Sequence, residues 1–381
     1  MQDPEDCCQS KTVSPNAGPA DRGPAQPCCA QAAEEKPGFA CYPFVIGWLD
    51  TAAGPVPQVS SGLDSRDRLG RWAMRWGIGR SRYQITPGLY AVGQPDHLSP
   101  VLVSANYKLS FDCLRSAIAG LSAWVLVIDT KGVNVWCAAG KGTFGTAEII
   151  FRCHNSHLDK VVRHKRLIVP QLGAPGVAAH KVRQDTGFSV TYGPVRAADI
   201  PEFIAGGMQA TAAMRRVSFT TRERLILTPV EITGMRKPVL YMAVALLLLG
   251  GIGDNIFSIN AAWSRAPGAI FAGLAGVLSG AVIMPILLPW LPGRLFSAKG
   301  ALLGIIMSTV LCLTLYRGMT FPGLVALYLF VSSVSSYTAM NFTGSSTFTS
   351  PSGVEKEMRR SIPLQVGALL TAGALWLTTA F

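Results

Sequence analysis

Charge is what this 381-residue sequence has least of. Asp, Glu, Lys and Arg make up 15% of it against 49% hydrophobic residues, and the mean hydropathy of +0.32 is too apolar for an ordinary soluble domain. The shortage is local: residues 238–381 hold seven cations and three acids. Acids are the minority overall, 22 against 34 Lys and Arg, for a net charge of +12. Such a balance would suggest a nucleic-acid partner if it lay on one soluble face. Here the later cations stand singly between apolar runs, which points to membrane topology and to no nucleic acid. An apolar leader segment is missing from residues 1–10, which are polar and acidic, so the N-terminus is expected in the cytoplasm with its thiols reduced. No second Cys pair at zinc spacing accompanies Cys153, His154, His157 and His164, which are expected at the surface and not on a metal. Disorder of the whole chain, a collagen repeat and a small disulfide scaffold are excluded on the same composition.

What is present falls into three stretches. Residues 1–40 have no apolar periodicity and are expected to form a disordered tail. Residues 41–233 read as an α/β domain: β-branched runs at 88–92, 100–104, 123–128, 166–170 and 188–192 alternate with helix-like segments at 112–121, 135–151, 158–164 and 200–205. That alternation predicts a mostly parallel sheet with its ligand at the carboxyl ends of the strands. Cys113 is expected to pack in this domain's core. Residues 234–381 contain five apolar runs, 238–257, 268–291, 300–316, 321–340 and 363–379, each near the ~20 residues that cross a bilayer. Cys312 is expected to face lipid from one of them. Arg236, Lys237, Arg294, Lys299, Lys356, Arg359 and Arg360 fall on one set of flanks, and only Arg265 and Arg317 on the other. By the positive-inside rule the α/β domain is cytoplasmic, the protein sits in the cell's inner membrane, and the C-terminus is outside. Asp254, near the end of the first run, is read as solvated at the outer interface.

The chemistry concentrates between Ala123 and Gly145. Gly140, Gly142 and Gly145 satisfy G-x-G-x-x-G, but about a dozen residues separate them from the strand, whereas a dinucleotide site needs the glycines at the strand's end. A P-loop reading of Gly140-Lys141 fails too, because Val135 stands where the first Gly is required and Gly142 where Ser or Thr is. What remains is a cysteine on the first turn of a helix. With Asn134 as N-cap, its side-chain oxygen accepts the backbone N–H of Cys137, placing the sulfur in the field of the helix N-terminus, with Lys141 one turn on. Ala138, Ala139 and Gly140 are small enough to let such a helix lie against something broad and flat.

The octapeptide Asn134-Val135-Trp136-Cys137-Ala138-Ala139-Gly140-Lys141 resembles, letter for letter, the cap-helix motif of the mercury-methylating corrinoid proteins, the HgcA family. Residues 86–93, 104–110, 167–176, 192–196 and 199–201 also look like family text. More distantly, residues 80–205 are similar to the corrinoid domain of the corrinoid iron–sulfur protein of acetyl-CoA synthesis. The resemblance implies a Rossmann-like corrinoid-binding α/β domain joined to an all-α transmembrane domain of five helices. It implies a cobalamin-type corrinoid as cofactor, Cys137 as catalytic residue and lower axial cobalt ligand, and residues 134–141 as the cofactor-binding helix, with Val135 and Trp136 beside the macrocycle and Asn134 orienting the thiolate. The implied activity is methyl transfer from methyl-cobalt(III) to Hg(II), forming methylmercury. Because Hg(II) is an electrophile, the methyl must leave as a carbanion equivalent or a radical, and a soft thiolate pushes electron density through cobalt toward it. The cobalt is left oxidised, so the implied partners are a ferredoxin-like protein with two 4Fe–4S clusters (HgcB type) as reductant and a methyl donor enzyme linked to methyltetrahydrofolate. Cys7, Cys8, Cys28 and Cys29 would suit capture of Hg(II). Two other readings stand beside this one: a corrinoid methyl carrier of one-carbon metabolism with a non-mercury acceptor, and a membrane transporter with an α/β regulatory domain. Against the transporter, the runs show neither an inverted repeat nor interior charged pairs.

Overall fold

The computed structural model describes residues 42–253, 256–315, 318–345 and 351–379. The expected tail with its four cysteines, Asp254 and Arg317 lie outside the described residues. In chain order the first elements are β1 (Val45–Leu49), β2 (Val56–Val59), α1 (Ser65–Arg75), β3 (Gly88–Val92), β4 (Val101–Ala105), α2 (Lys108–Ala117), β5 (Ala123–Ile128), α3 (Val135–Gly140), α4 (Thr146–Asn155), α5 (Leu158–Val161), β6 (Arg166–Val169), α6 (Ala179–Thr186), β7 (Ser189–Tyr192) and α7 (Ile200–Ala205). Seven strands form one sheet in the order β1-β2-β3-β5-β4-β6-β7. β4 pairs in parallel with β5 and β6, β6 with β7 and β2 with β3, whereas β1–β2 and β3–β5 are antiparallel. The sheet is therefore mixed. The connection over residues 93–100 is too short for the helical crossover a parallel pair requires, so β3 runs against β5 and β4. β1 and β2 carry little strand signal because Gly47 and Pro57 interrupt them.

Period-two alternation decides which side of the sheet each residue fills. On β5, Trp124, Leu126 and Ile128 pack with Ala138, Phe144, Ile149 and Val182, while Ala123, Val125 and Val127 pack with Phe111, Ile118 and Phe203. Both faces are covered by helices, the α/β arrangement that leaves the strand ends as the open region. The helix expected over 135–151 is two helices: Gly142 takes a left-handed φ of 78°, and α4 restarts after Gly145. Cys153, expected at the surface, is buried, because residues 149 and 153 form the core-facing stripe of α4.

The second half begins with α8 (Thr221–Gly234) and α9 (Arg236–Gly250), which meet at a 50° bend. α9 stops at Gly250, short of the apolar run's end at 257, because Ile252–Gly253 and Ile256–Phe257 pair as a small antiparallel hairpin. Then come α10 (Ile259–Leu287), α11 (Phe296–Thr314), α12 (Phe321–Asn341) and α13 (Pro351–Thr378). Pro267 sits inside α10, so that helix starts well before the run expected from 268. Among the described residues four helices are long and apolar enough to cross a membrane, or five if the bent pair counts as one. Small residues bring them together: a Cβ on Gly300 would lie 2.6 Å from the Ser335 carbonyl oxygen, and one on Gly304 2.5 Å from Ser332 Cα. The halves are joined by an Arg196–Glu223 ion pair of 2.6 Å, and Arg224 ties α8 to α10, its guanidinium donating to the Phe219 and Ile286 carbonyls at 2.6 and 3.2 Å.

Candidate functional site

β5 is buried along its whole length and delivers the chain to a turn that two other elements hold in place. Asn106, just past the end of β4 and 3% exposed, accepts the Thr130 and Gly132 amides on Oδ1, each at 3.0 Å, and donates from Nδ2 to Asp129 Oδ1 at 3.0 Å. From α4, Glu148 Oε1 accepts the Asp129 amide at 2.9 Å and Arg152 Nε at 2.6 Å. Within the turn, Lys131 and Gly132 are left-handed, with φ of 55° and 69°, and the Thr130 hydroxyl lies 2.6 Å from the Val133 carbonyl. The chain leaves this turn extended at Asn134, whose Oδ1 accepts the Cys137 amide at 2.9 Å. The expected N-cap is in place.

The eight residues of the motif do not share one surface. Asn134, Val135 and Trp136 line an apolar cleft of about 340 Å³, together with Leu102, Val103 and Ser104 of β4, Ile168 and Pro170 at the end of β6, and residues 193–195 after β7. This is the carboxyl-end position expected of a ligand in such a sheet. Trp136 is 37% exposed. Cys137 is a half-buried free thiol on the next position and is not among the residues of the cleft wall. Ala138 and Ala139 are turned inward, into the core beside Phe144. The segment Gln171–Gly176 covers them: a Cβ on Gly176 would run into the Phe144 carbonyl oxygen and lie 3.3 Å from Ala139 Cα. Their small size thus seats the helix on the protein itself. Gly140 is exposed with open space around it, and Lys141 is exposed.

Three residues of the site carry no sequence-level signal of a role. Asn106 and Thr130 fix the turn. Tyr107 precedes α2; burial raises its phenol above the usual range, and Arg80 opposes this. Cys113 lines the cleft, and burial raises its thiol against the pull of Arg71. Burial pushes the Cys153 thiol up to about 12, and His164 is bound through Nε2 to the Ser99 carbonyl at 2.8 Å.

Residues 78–204 match a family model described as CO dehydrogenase/acetyl-CoA synthase delta subunit. Among curated proteins the chain is similar to the acetyl-CoA decarbonylase/synthase complex subunit gamma of Methanopyrus kandleri, 32% identical over 127 residues, which are 33% of this chain and 27% of that protein. It is similar to the same-named subunit of Archaeoglobus fulgidus at 28% over 118 residues, 30% of this chain and 25% of the other. The corrinoid/iron-sulfur protein large subunit of Moorella thermoacetica is 31% identical over 117 residues, 30% of this chain and 26% of that subunit. The chain spans about a quarter of the length of these relatives. The matched segment, β3 through α7, holds the cleft and α3, so the site lies in a domain similar to one in a corrinoid/iron-sulfur protein.

Proposed function

We propose that this protein is a membrane-anchored corrinoid-dependent methyltransferase that passes a methyl group to Hg(II), with Cys137 as the lower axial ligand of cobalt. The observation that carries the reading is the Asn134-capped α3, which presents one half-buried thiol beside an apolar cleft in a domain similar to part of a corrinoid/iron-sulfur protein. The donor set fits a macrocycle: a single soft sulfur, an exposed indole next to it, and a glycine whose outer side is open. A bound corrinoid supplies a cobalt that carries the methyl group and gives it up. Cys137 would hold that metal and release its own proton in doing so. Asn134 fixes the first turn so that Sγ keeps one position, Val135 and Trp136 offer the macrocycle an apolar edge, and Gly140 and Lys141 face outward at the far end of the helix. Ala138 and Ala139 serve by seating α3 on the core. The reductant with two 4Fe–4S clusters and the methyltetrahydrofolate-linked donor belong to the same proposal.

The relatives favour a second reading, since they are subunits of acetyl-CoA complexes and a corrinoid/iron-sulfur protein: a methyl carrier of one-carbon metabolism whose acceptor is not mercury. Full-length protein reconstituted with corrinoid and reductant should show a cobalt absorption and electron paramagnetic resonance signature that changes in Cys137→Ala; identical spectra would remove the axial-thiolate assignment. Cells lacking this protein should form methylmercury again when given the wild type and not Cys137→Ala. Restored one-carbon flux without methylmercury would establish the second reading.

A further inference from the structure

α1 turns one side to the core and carries large apolar side chains on the opposite one. Its inner stripe holds Asp67 and Met74, both buried, with Gly70 pressed against the Tyr83 ring. Leu69, Trp72 and Trp76 fall on the opposite side at i, i+3 and i+7. Leu69 is 66% and Trp72 55% exposed, and the two indoles stand with ring centroids 5.8 Å apart. Ile78, just beyond the helix, is 58% exposed. Arg66, Arg68 and Arg75 flank this stripe, and Arg80 and Arg82 follow it. Placed in water alone, two adjacent tryptophans and a leucine would be a liability on an otherwise well-packed domain.

We infer that α1 lies in the headgroup layer of an anionic phospholipid bilayer, with Leu69, Trp72 and Trp76 reaching the acyl boundary and the arginines on lipid phosphates. The position of the helix supports this occupant. Its C-terminal end abuts the last turn of α8: a Cβ on Gly77 would lie 3.3 Å from Thr233 Oγ1 and 3.4 Å from Val230 Cγ2. One residue past α8 the first apolar helix begins, with Arg236 and Lys237 exposed at its start. α1 is therefore carried to the place where the chain would enter lipid, on the flank whose cations belong to the inner surface. Exposed tryptophan bordered by arginine is the composition an interface selects, and the cations match the negative potential of that leaflet. The consequence reaches the site, because Arg71 on the same helix stands 4.0 Å from Cys113 Sγ in the cleft wall. A docked α1 holds the cleft at a fixed attitude to the membrane. This rests on the reading that the apolar helices cross a bilayer.

The test places a photoreactive benzoylphenylalanine at Leu69, at Leu98 before β4 (65% exposed) or at Leu370 on α13 (71% exposed), in full-length protein reconstituted into vesicles of phosphatidylcholine with or without phosphatidylglycerol. Mass spectrometry should find lipid adducts at positions 69 and 370 and few at 98. The yield at 69, not that at 370, should fall about tenfold when phosphatidylglycerol is omitted or when Arg66 and Arg68 are replaced by Glu. Adducts at 370 with none above the Leu98 level at 69 would overturn the inference alone, and failure at both would overturn the crossing of the bilayer. In native membranes, adducts at 69 to an acidic protein in place of lipid would also overturn it.

Discussion

Asn134 does two jobs with one oxygen: it satisfies an orphan amide of α3 and fixes the turn on which Cys137 stands. Replacing an N-cap by Ala costs ~1 kcal/mol, so Asn134→Ala should lower the unfolding free energy measured in urea by about that much, while Asn134→Asp, which keeps an acceptor, should stay near wild type. In the proposed function the same pair should differ in the cobalt spectrum, altered in the Ala variant and retained in Asp. Gly176→Ala should cost more, on the order of 1–3 kcal/mol by overpacking, because its Cβ would collide with the Phe144 carbonyl, which is backbone and cannot swing aside. Thiol reactivity separates the cysteines: Cys153, buried and pushed up to about 12, should resist iodoacetamide in the native protein at neutral pH and label only in denaturant, as peptide mass spectrometry would show. The cap was legible in the sequence because donor and acceptor are three residues apart. The inward turn of Ala138 and Ala139 was not, because what covers them, Gln171–Gly176, comes some thirty residues later and touches them only through the fold.

Between elements, a buried quartet fastens α1 to α2. Arg115, fully buried, reaches Asp67 at 2.5 Å and Asp112 at 2.9 Å and donates to the Ser60 and Gly62 carbonyls at 2.6 and 2.7 Å; Lys108 reaches the same two carboxylates at 2.5 and 2.7 Å. Removing Arg115 leaves buried carboxylates short of a partner, so Arg115→Leu should destabilise by ~3–5 kcal/mol in urea unfolding. The pH dependence has two arms. Burial raises the Asp67 carboxyl, but the Lys108 and Arg115 hydrogen bonds outweigh it and hold the group below its ordinary 3.8. Its contribution is complete above that value and lost as pH falls through the lowered native one. Lys108 is the mirror case: burial lowers it, Asp112 and Asp67 more than reverse this, and it ends above its ordinary 10.5. Its contribution is complete below 10.5 and lost as pH rises through the raised value. Stability from this quartet should therefore be flat through neutrality and fall in strong acid, and Asp67→Asn should lower the plateau and weaken the acid arm. This link was invisible in the sequence, which spreads its members over residues 67–115. The break between α3 and α4 had a local cause in Gly142 and was missed because the apolar spacing runs straight across it.

At the scale of the whole molecule, α9 decides on which side each end would lie if the apolar helices cross a bilayer as proposed. Its 15 residues span about 22 Å at 1.5 Å each, short of the ~30 Å of hydrocarbon. It crosses only where the bilayer thins toward it, with Arg236 and Lys237 at the surface where α8 meets it across the 50° bend. The apolar runs in the sequence located α10 to α13 but not their ends, because hydropathy averages over a window: Pro267 and Pro363 lie inside helices, and the paired strands Ile252–Gly253 and Ile256–Phe257 fall within one window with the helix before them. With five crossings, Arg236 and Lys237, then Arg294 and Lys299, then Lys356, Arg359 and Arg360 share the face of the α/β domain, and the end of α13 is opposite. With four, α9 is re-entrant, the end of α13 returns to the domain's side, and the last two cation groups change faces. The charge distribution favours five. A reporter fused after residue 381 should then be active as alkaline phosphatase and dark as green fluorescent protein, while the same pair fused after Gly206, beyond α7, should behave oppositely; a fluorescent fusion at 381 would establish four crossings and place Arg265 on the side of the site.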